Sequence, residues 1–185
     1  MKTRFEFNKI RRFTDFLNEL EKTDQLVRIK KSVNPKFELA GIVSKLDKGK
    51  AVLFESVNES KIKVAANVLG TRYRIALSIN AKNENMIQVR IKEAIRNKSE
   101  ITNIVHSNNW QKNSKNLYDL PIVTHFEKDS GAFITSSLVI AKDKETGNQN
   151  LSTHRLLRLD KKSMAIRMVE GRHLHKCFTS AKEHG

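Results

Sequence analysis

Residues 132–169 read Ala132-Phe-Ile-Thr-Ser-Ser-Leu-Val-Ile-Ala-Lys142, Asp143-Lys-Glu-Thr-Gly147, Gln149-Asn-Leu-Ser-Thr-His-Arg-Leu-Leu-Arg-Leu159, Asp160-Lys-Lys162 and Ser163-Met-Ala-Ile-Arg-Met-Val169. Runs rich in aliphatic and β-branched side chains alternate with short separators of Asp, Lys and Gly. Separators this short turn the chain back on itself and leave no room for a crossover helix. The spacing therefore predicts consecutive antiparallel strands over 132–142, 149–159 and 163–169, preceded by a strand over 120–126 and the turn Lys128-Asp-Ser-Gly131. A helix from Arg172 to His184 follows.

Upstream the pattern changes. Phe13, Phe16, Leu17 and Leu20 recur at helical spacing, as do Leu39, Ile42, Val43 and Leu46 after Pro35, so two amphipathic helices are expected. Gln25–Ile29, Ala51–Val57 and Lys63–Val68 are short and apolar, the signature of strands. Thr71–Ile79 reads as a short helix, and Ile87, Ile91, Ala94 and Ile95 mark another over 84–97. The polar stretch from Trp110 to Tyr118 has no apolar period and reads as a connection. The expected class is α+β: a mixed α/β domain over 1–110, then an antiparallel β unit over 117–185.

The 185 residues suit one domain and part of a second. No apolar run reaches the roughly 18 residues of a membrane span, and the amino terminus lacks the apolar core of a secretion signal, so a cytoplasmic location is expected. The single Cys177 forms no internal disulfide and no cysteine-based zinc site. With 35 basic against 20 acidic residues the chain carries +15, which raises the alternative of a basic nucleic-acid-binding module. The excess is spread along the chain, however, and 6% aromatic residues make no stacking platform for bases.

The stretch Asn150–Arg155 holds the candidate chemistry. On a strand, Asn150, Ser152 and His154 share one side while Leu151, Thr153 and Arg155 share the other. Polar groups on both sides cost free energy unless water, a partner or a ligand satisfies them, so a solvated edge strand and a ligand site are the two readings. Arg155, Arg167 and Arg172 fall on adjacent elements, where forked hydrogen bonds to a phosphate or carboxylate are possible; solvated surface arginines are the alternative. An amide oxygen with one imidazole, Asn150 with a histidine, suits Mn or Mg completed by phosphate and carboxylate better than zinc. His173, His175 and Cys177 alternate along a helix and point apart, which disfavours a shared ion. His125, Asp129 and Ser130 hold the residue types of a catalytic triad within what reads as a turn. There is no P-loop, GxGxxG or GxSxG sequence.

Six ordered stretches carry a family resemblance: Gln25-Leu-Val-Arg-Ile29, Ala51-Val-Leu-Phe-Glu-Ser-Val57, Asn67-Val-Leu-Gly-Thr-Arg72, Asp119-Leu-Pro-Ile-Val-Thr124, Gly131-Ala-Phe-Ile-Thr135 and Asn150-Leu-Ser-Thr-His-Arg155. Together they resemble the UbiD family of decarboxylases, which use prenylated flavin mononucleotide. The stretches Leu159-Asp-Lys-Lys162, Ala165-Ile-Arg-Met-Val169 and Arg172-His-Leu174 are similar to the archaeal-type branch, which implies trans-anhydromevalonate 5-phosphate as substrate.

The resemblance implies that residues 117–185 form an incomplete split β-barrel that binds the flavin, with a divalent ion, usually Mn, tying its phosphate to protein. By motif, Asn150 is the metal ligand, with His173 as a second. Thr153, His154, Arg155, Arg167, Met168, Val169, Arg172 and His173 contact the cofactor. His154 stands where many relatives carry Tyr. Arg155 is the catalytic residue, holding a substrate carboxylate and pairing with an acid. The implied reaction is a covalent adduct between the flavin and an α,β-unsaturated acid, loss of CO2, and reprotonation. The family's remaining metal carboxylate, its proton donor and its oligomer-forming domain would fall beyond Gly185. The chain alone is therefore expected not to turn over, and to be a fragment, one half of a split enzyme or a remnant. Its expected partners are the small unsaturated acid and either further copies of itself or a complementary chain. A non-catalytic partner subunit is the remaining alternative.

Overall fold

The computed structural model describes residues 12–58, 60–97 and 116–184. The chain divides into two compact units, one of Met1–Val33 with Gly41–Asn113 and the other of Asn34–Ala40 with Ser114–Gly185.

In the first unit, helix α1 (Phe13–Lys22) buries Phe16, Leu17 and Leu20. They pack with Leu26, Ala51, Leu53 and Leu77 into the unit's main core. Phe13, expected on that stripe, is 56% exposed, because it opens the helix ahead of the core-facing turn. Strands β1 (Leu26–Ile29), β2 (Ala51–Phe54) and β3 (Val64–Ala66) form a sheet in that order. β1 runs parallel to β2, and β3 antiparallel to it. All four β2 residues are buried, which is why this central strand reads as an unbroken apolar run. Between β1 and β2 lies helix α2 (Glu38–Lys45), whose first residues belong to the segment grouped with the second unit.

Helix α3 (Arg72–Ser78) is capped by the Thr71 hydroxyl, which accepts from the Arg74 backbone N–H at 3.3 Å. A 3-10 turn (Glu84–Met86) leads into helix α4 (Ile87–Arg96). Only Ile87 of α4 is buried, and Ile91 and Ile95, expected on a core face, are exposed. Arg74 is buried to 1% exposure. Its guanidinium donates to the Gln25 side-chain oxygen at 3.4 Å and to the Asn67 carbonyl at 3.2 Å, and burial pushes its pKa down.

In the second unit, strands β4 (Phe133–Lys142) and β5 (Gln149–Arg158) form a long antiparallel hairpin, and β6 (Met164–Ile166) adds to β5. The Asp143 carboxylate organises the β4–β5 turn by accepting from the Glu145 and Thr146 backbone N–H groups at 2.9 and 3.4 Å. Asp160 does the same before β6, accepting from Lys162 and Ser163 at 2.7 and 2.8 Å. The strand expected over 120–126 does not form. Ile122 N–H bonds back to the Leu120 carbonyl at 2.8 Å across Pro121, bending the chain into a three-residue turn. Only isolated bridges remain, Val123 with Phe133 and Thr124 with Lys36. The strand expected over 163–169 ends at Ile166. Most of the expected linker, 110–115, lies outside the described residues, and its end forms a 3-10 turn at Leu117–Asp119.

Helix α5 (His173–Glu183) closes the described chain and buries Leu174, Cys177 and Ser180 along one face. Among the described residues the fold is thus mixed α and β with two small sheets, the second wholly antiparallel. No described helix is long and apolar enough to cross a membrane.

Candidate functional site

Strand alternation in β5 sets the site. Asn150, Ser152 and His154 point to one side and are half-buried, whereas Leu151, Thr153 and Arg155 are exposed. The polar side is internally bonded. The Asn150 amide donates to the Ser152 hydroxyl at 3.2 Å, and that hydroxyl lies 3.0 Å from His154 Nε2. Ser137 on β4, where the ladder register shifts, donates to the His154 backbone carbonyl at 2.6 Å. β6 pairs only with Leu156–Arg158, so among the described residues 149–155 have a ladder partner on one side alone, β4.

Along this part of the strand lies an open hollow of about 520 Å³, lined by residues from β4, β5, the segment after β6 and the start of α5. Its volume falls in the range of small-molecule sites, roughly 300–1,000 Å³. Asn150, Thr153, His154, Val169, Arg172 and His173 all border it. The turn that delivers the last two depends on Gly171. Arg172 N–H bonds to the Val169 carbonyl at 3.2 Å with Gly171 at φ +74°, a left-handed conformation that glycine adopts without steric cost. Arg172 then caps α5 with no side-chain hydrogen bond to the helix's first N–H groups. An uncapped helix start beside a guanidinium is a favourable setting for an anion. A second hollow, about 280 Å³, shares Asn150 and His173 with the first and adds Asp143, Lys176 and Cys177. His173 and Cys177, four apart on α5, both border it, and His175 does not.

Three expected site residues lie elsewhere. Arg155 stands over the Phe133 ring with its guanidinium carbon 5.0 Å from the centroid and does not line the hollow. Arg167 and Met168, expected on a strand beside β5, follow the end of β6 and do not line it either; Val169 does. The three arginines therefore do not converge, since only Arg172 borders the hollow. Ser152, Leu138, Leu151 and Leu174, outside the expected site set, also line it. Ser152 was legible by its parity with Asn150 and His154. Leu174 was not, because its place depends on the Gly171 turn. Asp129 accepts from the Phe126 backbone N–H at 3.1 Å, which makes that stretch a turn.

The donor set fits a phosphate-bearing flavin and a hard divalent ion. With its NH2 committed to Ser152, the Asn150 amide keeps an oxygen with no hydrogen-bond partner among the described residues, and His173 presents an imidazole to the same two hollows. Oxygen plus imidazole nitrogen suits Mn or Mg. No group of three His, Cys, Asp or Glu side chains able to hold an ion occurs among the described residues, so this pair would need further ligands from a phosphate or from outside the described residues.

A polar strand and a helix start bordering one open hollow make this an α+β chain with a candidate small-molecule site, and comparison with known proteins narrows that class. Residues 17–94 match the N-terminal domain, and 97–185 the Rift-related domain, of 3-octaprenyl-4-hydroxybenzoate carboxy-lyase. The chain belongs to this family, the UbiD family. It is 31% identical to anhydromevalonate phosphate decarboxylase of Methanothermobacter thermautotrophicus over 95% of its own length and 40% of the relative's. It superposes with TM-score 0.85 and 28% identity on an evolved dimeric form of the UbiD-class enzyme HmfF from Pelotomaculum thermopropionicum in complex with prFMN, covering 93% of this chain and 41% of that one. Vanillic acid decarboxylase of Sedimentibacter hydroxybenzoicus, ShVdcCD with a truncated ShVdcD, matches with TM-score 0.70 and 26% identity over 84% of this chain and 38% of that one. The chain thus spans about 40% of the length of the relatives it matches.

Proposed function

We propose that this chain supplies the N-terminal and cofactor-facing portion of a non-oxidative decarboxylase that acts on an α,β-unsaturated carboxylic acid through prenylated FMN and Mn. The observation that carries the reading is the shared hollow, which gathers Asn150, His154, Arg172 and His173 in a chain whose fold matches a prFMN-bound relative. The bound flavin would supply the electron sink for loss of CO2. Asn150 oxygen and His173 nitrogen would hold the metal, Arg172 and the first N–H groups of α5 would bind phosphate, and Thr153, His154 and Val169 would border the ring system. The likeness to anhydromevalonate phosphate decarboxylase favours a phosphorylated isoprenoid acid as substrate.

Arg155 is our candidate for the substrate carboxylate. Leaving the Phe133 ring would cost it about 0.5–1 kcal/mol, little against a forked, charge-assisted carboxylate contact. In our reading the β4–β5–β6 meander is part of a split barrel over 117–185, after an N-terminal domain over 1–110. Its exposed apolar side chains Leu138, Ile140 and Leu151, each more than 60% exposed, would be covered by polypeptide corresponding to the relatives' remaining length. The catalytic acid and third metal ligand would come from that polypeptide.

Titrating FMN and prenylated FMN into the chain with Mn, alone and with the remaining portion of a relative, tests the reading by flavin absorbance and fluorescence. Saturable, Mn-dependent binding is expected. Failure to bind under every one of these conditions refutes it.

A further inference from the structure

We propose that Ser152 is a positioning residue: its hydroxyl donates to His154 Nε2, accepts from the Asn150 amide, and so holds the amide oxygen available to a metal ion. The proposal rests on the reading of Asn150 as a ligand. Asn150 and His154 are four apart on β5, about 13 Å along an extended strand, so they cannot bond directly. Ser152 lies midway on the same face and reaches both, at 3.2 and 3.0 Å. Across the ladder, Ser152 faces Val139 and Asn150 faces Ala141, whose side chains offer no hydrogen bond. The amide's orientation is therefore set along the strand and not across it.

The chain has a direction because a hydroxyl has one hydrogen and two lone pairs. With that hydrogen given to Nε2, the lone pairs can only accept, and the Asn150 end that satisfies them is its NH2. The His154 ring proton then sits on Nδ1. A reversed amide would set its oxygen against those lone pairs and turn two N–H donors toward a cation. Ser152 thus selects the coordinating end of Asn150 without touching the metal, as partners of metal ligands commonly do.

The test has two readouts. In the unsubstituted chain at alkaline pH, 15N spectra of labelled histidine should show His154 as the Nδ1–H tautomer. An Nε2–H tautomer overturns the proposed direction. Mn affinity, read by electron paramagnetic resonance with FMN present, should fall about 10- to 100-fold in Ser152→Ala. It should return to within about threefold in Ser152→Thr, which keeps the hydroxyl. Urea melts of both variants establish that the fold is intact. Unchanged Mn affinity in Ser152→Ala overturns the proposal while leaving the metal site standing, and equal weakness of both variants overturns it as a packing effect. No Mn binding by the unsubstituted chain refutes the site reading, and with it any ligand for Ser152 to position.

Discussion

Replacing Asn150 with Ala separates a ligand from a structural amide. In the fold the Asn150 side chain contributes one neutral, half-buried hydrogen bond, 3.2 Å to Ser152. Its loss should cost about 0.5–1.5 kcal/mol. Domains of this size are stable by roughly 5–15 kcal/mol, so the variant should remain folded, with its urea midpoint only slightly lowered. The metal would lose a coordinating oxygen outright. Outer partners of ligands are themselves worth about 10- to 100-fold in affinity, so a ligand should be worth at least that, more than about 1.4–2.8 kcal/mol. Mn titration with FMN present, followed by electron paramagnetic resonance, gives the affinity, and a parallel urea melt gives the stability. Asn150→Asp sharpens the test. It keeps an oxygen toward the ion and adds charge, so binding should survive, with the Ser152 hydroxyl turning to donate to the new carboxylate. Unchanged Mn affinity in Asn150→Ala, or a loss fully accounted for by unfolding, would refute the reasoning.

Three further outcomes are expected. Arg155→Ala should leave Mn retention within about threefold and lower stability by less than about 1 kcal/mol, because its guanidinium meets Phe133 and not the hollow; a tenfold loss of Mn by the same titration would place Arg155 inside the cofactor site. Leu20→Ala, at a position with 0% exposure in the first unit's core, should cost about 2–5 kcal/mol in urea unfolding, and a cost below 1 kcal/mol would contradict the packing described. Hydrogen bonds from backbone N–H groups hold the carboxyls of Asp143 and Asp160 below the ordinary carboxylate value, for Asp143 first from Glu145 and for Asp160 first from Lys162. Groups depressed in the fold stabilise it above their unfolded pKa of about 3.9, and that contribution is lost as pH falls through the folded values. Amide protection factors in both turns, which divide out the intrinsic base-catalysed rise of exchange with pH, should therefore fall below about pH 4 and be flat from 5 to 8; a fall confined to alkaline pH would contradict this.

Much of the fold was legible because burial leaves a period in the sequence. The α1 stripe of Phe16, Leu17 and Leu20, the unbroken Ala51–Phe54 and the β4–β5 hairpin follow from apolar spacing and turn residues. What failed was non-local. Leu120–Phe126 has strand composition, yet a backbone hydrogen bond across Pro121 bends it, and Lys36, distant in sequence, pairs with Thr124. The site was half legible. Parity along β5 put Asn150 and His154 together, but where β6 ends and how Gly171 turns the chain decide that Val169, Arg172 and His173 join them while Arg167 and Met168 do not. Arg155 follows the alternation and falls on the exposed side, where Phe133 receives it.

Anomalous scattering at the Mn edge, from crystals of the chain grown with FMN and Mn, tests the central claim most directly. The account expects one Mn peak within coordinating distance of Asn150 Oδ1 and a His173 ring nitrogen, with flavin phosphate density at the start of α5. Flavin bound elsewhere, or a peak that avoids Asn150, would contradict it.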